Sequence, residues 1–170
     1  MPIVRDFRNY SFQASRIDRC AKSVGGKLYW KLYALENTVR IVINSVLLIQ
    51  IGQQWWTTAV APPVRTEARR RRNRAAARPQ HASPGAHDIY LIGLFELIEI
   101  LRVNSHLFLP IIPETNQWVV TLEGIRPSRN LVGHMNFPNA YDRTAIDGAY
   151  GQLPNLVAHL SGQNIPIAIP

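Results

Sequence analysis

An all-α bundle is the fold this sequence predicts, and three observations predict it. Apolar residues recur at spacings of three and four along most of the chain, no stretch alternates with a period of two, and prolines and glycines fall between the periodic segments. At 170 residues, with 46% hydrophobic and 18% charged residues, the chain is sized for one folded domain, and its composition excludes an apolar-poor disordered polymer.

Residues 1–24 lack clean periodicity and read as part of an N-terminal arm, 1–26, holding at most a short helix. From Lys27 to Gln54, Leu28, Leu32, Leu35, Val39, Val42, Ile43, Val46, Leu47 and Ile51 trace one face of a long amphipathic helix, and Gly52 with Trp55-Trp56 marks its end. Pro62-Pro63 suits the first turn of a second helix, continued by Val64 to Ala77 and stopped by Pro79. Gln80 to Ala86 is a loop. A third helix is expected over His87 to Asn104, with Ile89, Ile92, Leu94, Phe95, Ile98 and Leu101 forming a broad apolar face. Pro110 and Pro113 bracket a connector before a fourth helix, Asn116 to Ile125, and Ser128 is placed to N-cap a further turn, Arg129 to Met135. Beyond Pro138, one more helix over about Thr144 to Leu160 precedes an apolar tail, Ile165 to Pro170. The expected organisation is therefore the arm, a bundle of four to five helices over 27–137, and a C-terminal helix and tail over 138–170.

Charge is unevenly placed. The net +8 divides into +11 over residues 1–80 and −3 over residues 81–170, and it is carried by 16 Arg against 3 Lys. The guanidinium fork matches phosphate geometry, so a polyanionic partner is expected, nucleic acid before an anionic membrane surface. Seven arginines fall between Arg65 and Arg78 with only Glu67 to oppose them. On a helix Arg65, Arg69 and Arg72 share one face while Arg70 and Arg74 share the next, giving two rows of cation able to track a phosphate backbone. A solvated charged helix, or a basic loop that orders on binding, is the plainer alternative.

Cys20 stands alone, which excludes an internal disulfide and a thiolate zinc site. Met1 to Tyr10 carries Arg5, Asp6 and Arg8 with no apolar run behind them, so no signal peptide is expected. The strongly apolar stretch Ile41 to Ile51 is interrupted by Asn44, Ser45 and Gln50 and is far shorter than the roughly 20 residues that span a bilayer. A buried core helix and a cytoplasmic location are the expectation, without a membrane partner.

Five histidines, His81, His87, His106, His134 and His159, show no metal-ligand spacing, Gly25-Gly26 is not a phosphate loop, and Ser11, Ser15 and Ser23 lie in no nucleophile elbow. No metal and no cofactor are expected. What remains is Arg126-Pro127-Ser128-Arg129-Asn130-Leu131-Val132-Gly133-His134. An arginine and a histidine at a helix start are the minimal kit for metal-free phosphodiester cleavage. The histidine moves protons near neutral pH, the arginine and the helix N-terminus stabilise the phosphorane, and the RNA's own 2′-hydroxyl attacks. Arg74 to His81 fits the same loose spacing but leads into Pro79 and a loop. On one helix Asn130 and His134 share a face while Arg129 lies about 140° away, so a dimer that brings two copies together is the expected arrangement.

The segment Arg129-Asn130-Leu131-Val132-Gly133-His134 resembles the Arg-x4-6-His motif of the HEPN superfamily, small helical bundles that include many metal-independent ribonucleases. Leu32-Tyr33-Ala34-Leu35-Glu36-Asn37-Thr38-Val39-Arg40 is similar to the first-helix signature of a subgroup found in prokaryotic toxin and defence proteins, and Gly52 and Trp55-Trp56 follow it as in those relatives. The resemblance covers about Lys27 to Asn136. It implies a homodimeric endoribonuclease in a toxin-antitoxin, phage-defence or RNA-processing setting, with an antitoxin or a defence protein as partner. Arg129 and His134 take the catalytic positions and Asn130 the polar one. Gly133 stands where alanine is common, and Asn136 stands where some relatives carry a modifiable tyrosine.

Each residue also has a plainer role. Glu36 and Arg40 line the cleft or form an intrahelical ion pair. Trp55 and Trp56 are core anchors before they are base-stacking platforms. Asn130 can be a helix-start hydrogen bonder and His134 a satisfied core histidine. The rival to catalysis is a module that binds nucleic acid or protein without cutting.

Overall fold

The computed structural model describes residues 4–170, and every regular element among them is helical. In chain order these are α1 Ala14–Val24, α2 Trp30–Gln50, α3 Trp55–Ala59, α4 Pro62–Ala76, α5 Leu94–Val103, α6 Ser105–Phe108, α7 Thr115–Gly133, α8 Ala140–Gly151 and α9 Leu153–Gly162, with 3-10 turns at Phe7–Asn9 and Asp88–Leu91. The all-α expectation holds. Seven of these helices have ten residues or more, and four of them, α2, α4, α5 and α7, lie within 27–137, as expected of the bundle.

The central element is α2, which packs against α5, α6 and α8, while α7 packs against α5 and α8. Leu35, Ile43, Val46 and Leu47 of α2 meet Leu97, Ile98, Leu122, Ile146 and Leu160 in one core. α1 continues into α2 through a π turn, Gly25–Tyr29, so the second half of the predicted arm is instead the start of a 37-residue helical rod, Ala14–Gln50. Two glycines that would weaken an α-helix are accommodated by widening one turn. The first three residues of the arm lie outside the described residues. By length and composition the rod is long and apolar enough to cross a membrane. Its Glu36, Arg40, Asn44 and Ser45 are buried against other elements of the bundle. At its far end Gly52 takes a left-handed conformation, φ 90°, which glycine adopts without strain.

Four expectations are corrected. α7 runs unbroken through Pro127, so Ser128 does not cap a new helix; it is buried in mid-helix, where its Oγ donates to Asp142 Oδ1 at 2.7 Å. Pro127 is tolerated because it sits with Glu123 on the exposed side, where water can satisfy the freed carbonyl. The helix predicted over His87 to Asn104 starts only at Leu94. Ile89 and Ile92 are buried from the preceding turn, and the Gly93 N–H donates to Glu96 Oε2 at 3.0 Å to cap α5. Phe95, assigned to the apolar face, is 52% exposed and lies under the Arg126 guanidinium. Thr144 to Leu160 is two helices, broken at Gln152, and α8 begins earlier, at a reciprocal Asn139–Asp142 cap.

Ile146, Leu153, Leu156 and Leu160 belong to the same core as α2. The tail folds back along that helix: the Ala168 N–H donates to Ser45 Oγ at 2.9 Å and its carbonyl accepts from Asn44 Nδ2 at 2.9 Å. Asn44 Oδ1 also accepts from Trp55 Nε1 at 3.1 Å, which makes Trp55 the core anchor that its size suggests.

Candidate functional site

Two buried charges on α2 organise the site. Glu36 and Arg40 form the i, i+4 pair, with Arg40 Nη2 3.1 Å from Glu36 Oε2. Arg40 also donates to the Ile92 carbonyl at 2.9 Å and to the Ile89 carbonyl at 3.3 Å, which fastens the Asp88–Leu91 turn to α2. The two members of this pair also line an open cleft of about 420 Å³.

Arg129 reaches that cleft from α7. Its Nε donates to Glu36 Oε1 at 2.5 Å and its Nη2 lies 3.4 Å from Glu36 Oε2. The hydrogen bond it donates to Glu36 holds the guanidinium pKa above its ordinary value, so Arg129 is a permanent cation. Among the described residues Nη1 reaches only Asn130 Oδ1, at 3.4 Å, and a β-carbon at Gly133 would lie 3.6 Å from it, an ordinary contact. Alanine would fit there.

His134 is the C-cap of α7, with its backbone N–H on the Asn130 carbonyl at 2.9 Å. Its side chain is exposed, makes no hydrogen bond among the described residues and is not part of the cleft wall; Gly133 and Met135, on either side, are. The expectation that Arg129 and His134 open a helix is thus reversed: they close one. A helix C-terminus presents carbonyls and favours cations, so the helix dipole does not stabilise a phosphate here. Arg129 has to meet that charge with its own side chain.

The turn after His134 closes as a Schellman motif, with the Asn136 N–H on the Leu131 carbonyl and the Met135 N–H on the Val132 carbonyl, both at 3.0 Å. Met135 occupies its left-handed position at φ 59°, where glycine is usual, and is 82% exposed. A side chain held there costs about 1 kcal/mol.

The arginine helix is partly spent on the fold. Arg72 pairs with Asp88 at 2.5 Å and donates to the Gly85 and Ala86 carbonyls, Arg71 donates to the Leu91 carbonyl at 2.7 Å, and Arg65 Nε is buried with no partner among the described residues. The predicted row Arg65, Arg69, Arg72 is therefore not an open cationic face; Ala68 on the same side is fully buried. Arg69, Arg70, Arg74 and Arg78 are exposed, with Arg70 paired to Glu67.

Sequence reasoning missed Tyr29, Tyr33, Tyr90 and Met135, all of which line the Arg129 cleft. The signal for two of them was available. Tyr29 and Tyr33 are four apart and fall off the apolar stripe of 28, 32, 35 and 39, which leaves large rings on the solvent side. Trp55 and Trp56 surround His87 instead, with Trp55 stacked on its ring at 5.0 Å. Among the described residues no three His, Cys, Asp or Glu side chains converge as a metal site. No family model, curated protein or solved structure shows significant similarity to the chain.

Proposed function

We propose that the chain is a metal-independent endoribonuclease of HEPN type, acting as a homodimer in a toxin-antitoxin or phage-defence setting. The observation that carries this reading is the Arg129 guanidinium displayed in an open cleft, with His134 on the exposed end of the same helix. Arg129 binds the scissile phosphate and the charge that builds on it. His134 takes the proton from the 2′-hydroxyl or returns one to the departing 5′-oxygen, leaving a 2′,3′-cyclic phosphate. Asn130 steadies Nη1 of Arg129. Because His134 stands outside its own chain's cleft, the pairing of Arg129 with a histidine is assigned to the dimer. Arg69, Arg70 and Arg74 hold the RNA backbone.

Parent protein, Arg129→Ala and His134→Ala are incubated with total RNA in a chelator. Discrete fragments with cyclic phosphate ends from the parent alone are expected; equal cleavage by all three would overturn the assignment.

A second reading rests on the Glu36 clasp. With Glu36 neutralising Arg129, the cleft can hold RNA without cutting it, and a shifted but intact RNA would establish that binding role.

A further inference from the structure

The wall of the Arg129 cleft is aromatic where the fold has no need of it. Tyr29 is 54% exposed and Tyr33 66% exposed, one helical turn apart on the rod and about 6 Å apart along its axis. Across from them Met135, 82% exposed, is kept at a left-handed position that glycine would fill more easily. One exposed aromatic residue on a protein surface needs no explanation. Two rings and a thioether around a single guanidinium form a recurring combination, a cation for phosphate beside flat apolar surface for a base. Tyr29 is shared as well with an adjoining apolar groove of about 410 Å³, walled by Phe7, Val24 and Phe137 on the far side.

We propose that Tyr29 and Tyr33 stack an unpaired nucleobase next to the phosphate held at Arg129, with Met135 closing over it, so that the substrate is single-stranded RNA. This deepens the ribonuclease reading and rests on it. A duplex keeps its bases stacked on one another and offers no free face to the tyrosines, whereas a single strand or loop can turn one out. Asn37 is not a base reader, because its Nδ2 donates to the Tyr33 carbonyl at 2.8 Å and its Oδ1 accepts from Arg40.

The test measures binding of the full chain, at low salt, to 2′-O-methyl oligoribonucleotides, which cannot be cleaved by 2′-attack. The probes are a single strand, the same strand with abasic positions, and its duplex. Tyr33→Leu, Tyr29→Leu and Tyr33→Phe are compared with the parent. The parent is expected to prefer the base-bearing single strand, each leucine variant to lose about five- to tenfold of that affinity, and Tyr33→Phe to retain it. The salt slope should stay unchanged, since stacking releases no counterions. Equal binding of base-bearing and abasic strands, or parent-like binding by both leucine variants, would overturn the stacking wall and leave the RNA reading standing. No binding of any oligomer would overturn both.

Discussion

Arg129 on α7 and Glu36 on α2 are joined across 93 residues of sequence by a two-point clasp, Nε to Oε1 at 2.5 Å and Nη2 to Oε2 at 3.4 Å. Because Glu36 is in turn held by Arg40, and Arg40 by the carbonyls of Ile89 and Ile92, the guanidinium is set by a chain of buried contacts anchored outside the cleft. The clasp leaves Nη1 as the loosest edge of the fork. Glu36→Gln is expected to tighten RNA binding, by removing a negative charge from the cleft, and to lower kcat by about tenfold to a hundredfold, by loosening the arginine. Steady-state kinetics separates the two effects. Glu36→Ala strands Arg40 as a buried cation and should cost about 3 kcal/mol in denaturant unfolding.

Met135 invites the opposite experiment. Met135→Gly relieves a left-handed side chain and should stabilise the protein slightly, by at most about 0.5 kcal/mol once glycine's greater freedom when unfolded is allowed for. If the side chain closes over a base, the same variant binds single strands more weakly. Thermal unfolding and oligomer binding, measured on one preparation, check both outcomes.

Ser128 ties α7 to α8 beside their shared apolar contact. Its hydroxyl donates to the buried Asp142 at 2.7 Å, and Asp142 keeps a second contact from the Asn139 N–H at 3.0 Å. Ser128→Ala is expected to cost about 1.5 to 3 kcal/mol, the scale of a hydrogen bond to a buried charge. Urea unfolding with an unchanged m-value would show that loss cleanly.

His87 gives the fold a sensitivity to acid. Burial against Trp55 and Trp56 pushes its pKa below the ordinary 6.5, against the pull of Asp88 and with the push of Arg72, and its Nδ1 accepts the Ile89 N–H at 3.1 Å, which requires an unprotonated nitrogen. Since the folded pKa lies below the unfolded one, this stability is present above about pH 6.5 and is lost as pH falls toward the folded value. The urea midpoint of the parent should therefore drop between neutral pH and pH ~5.5, and His87→Asn, which keeps an acceptor but does not titrate, should flatten that drop.

The arginine helix separates into cations that bind and cations that build. Arg69→Gln with Arg74→Gln should lower the salt slope of RNA binding by about two without changing stability. Arg72→Gln should instead loosen the Gly85–Leu91 segment, because Asp88 and two carbonyls lose their partner. Salt titrations of binding, beside thermal melts, distinguish them.

The helical class, the rod's apolar stripe and the opening of α4 at Pro62 were legible because each is written in local periodicity and proline placement. Pro127 imitates a helix boundary inside α7, so that Ser128 resembles a cap and Arg129 and His134 resemble a helix start when they lie at a helix end. What decided the matter is tertiary, since Asp142 lies 14 residues further on and draws Ser128 inward. Gly93 misled in the other direction, because an apolar run through Ile89 and Ile92 imitates a helix while both residues are buried from a turn. At the site, Glu36 and Arg129 were each named, yet their contact is long-range and has no signature in spacing. Tyr29 and Tyr33 lie opposite the apolar face, where an aromatic ring has no local signature of function until the fold sets it beside Arg129.

The most direct test of the central claim is cleavage, in chelator, of a short single-stranded RNA by the parent and by folded, matched Arg129→Ala and His134→Ala proteins, with a second substrate whose cleaved ribose lacks the 2′-hydroxyl. The account predicts a 2′,3′-cyclic phosphate product from the parent, losses of about a hundredfold or more in each variant, and no cut at the deoxy position. Cleavage that survives both substitutions, or that proceeds at the deoxy position, would contradict it.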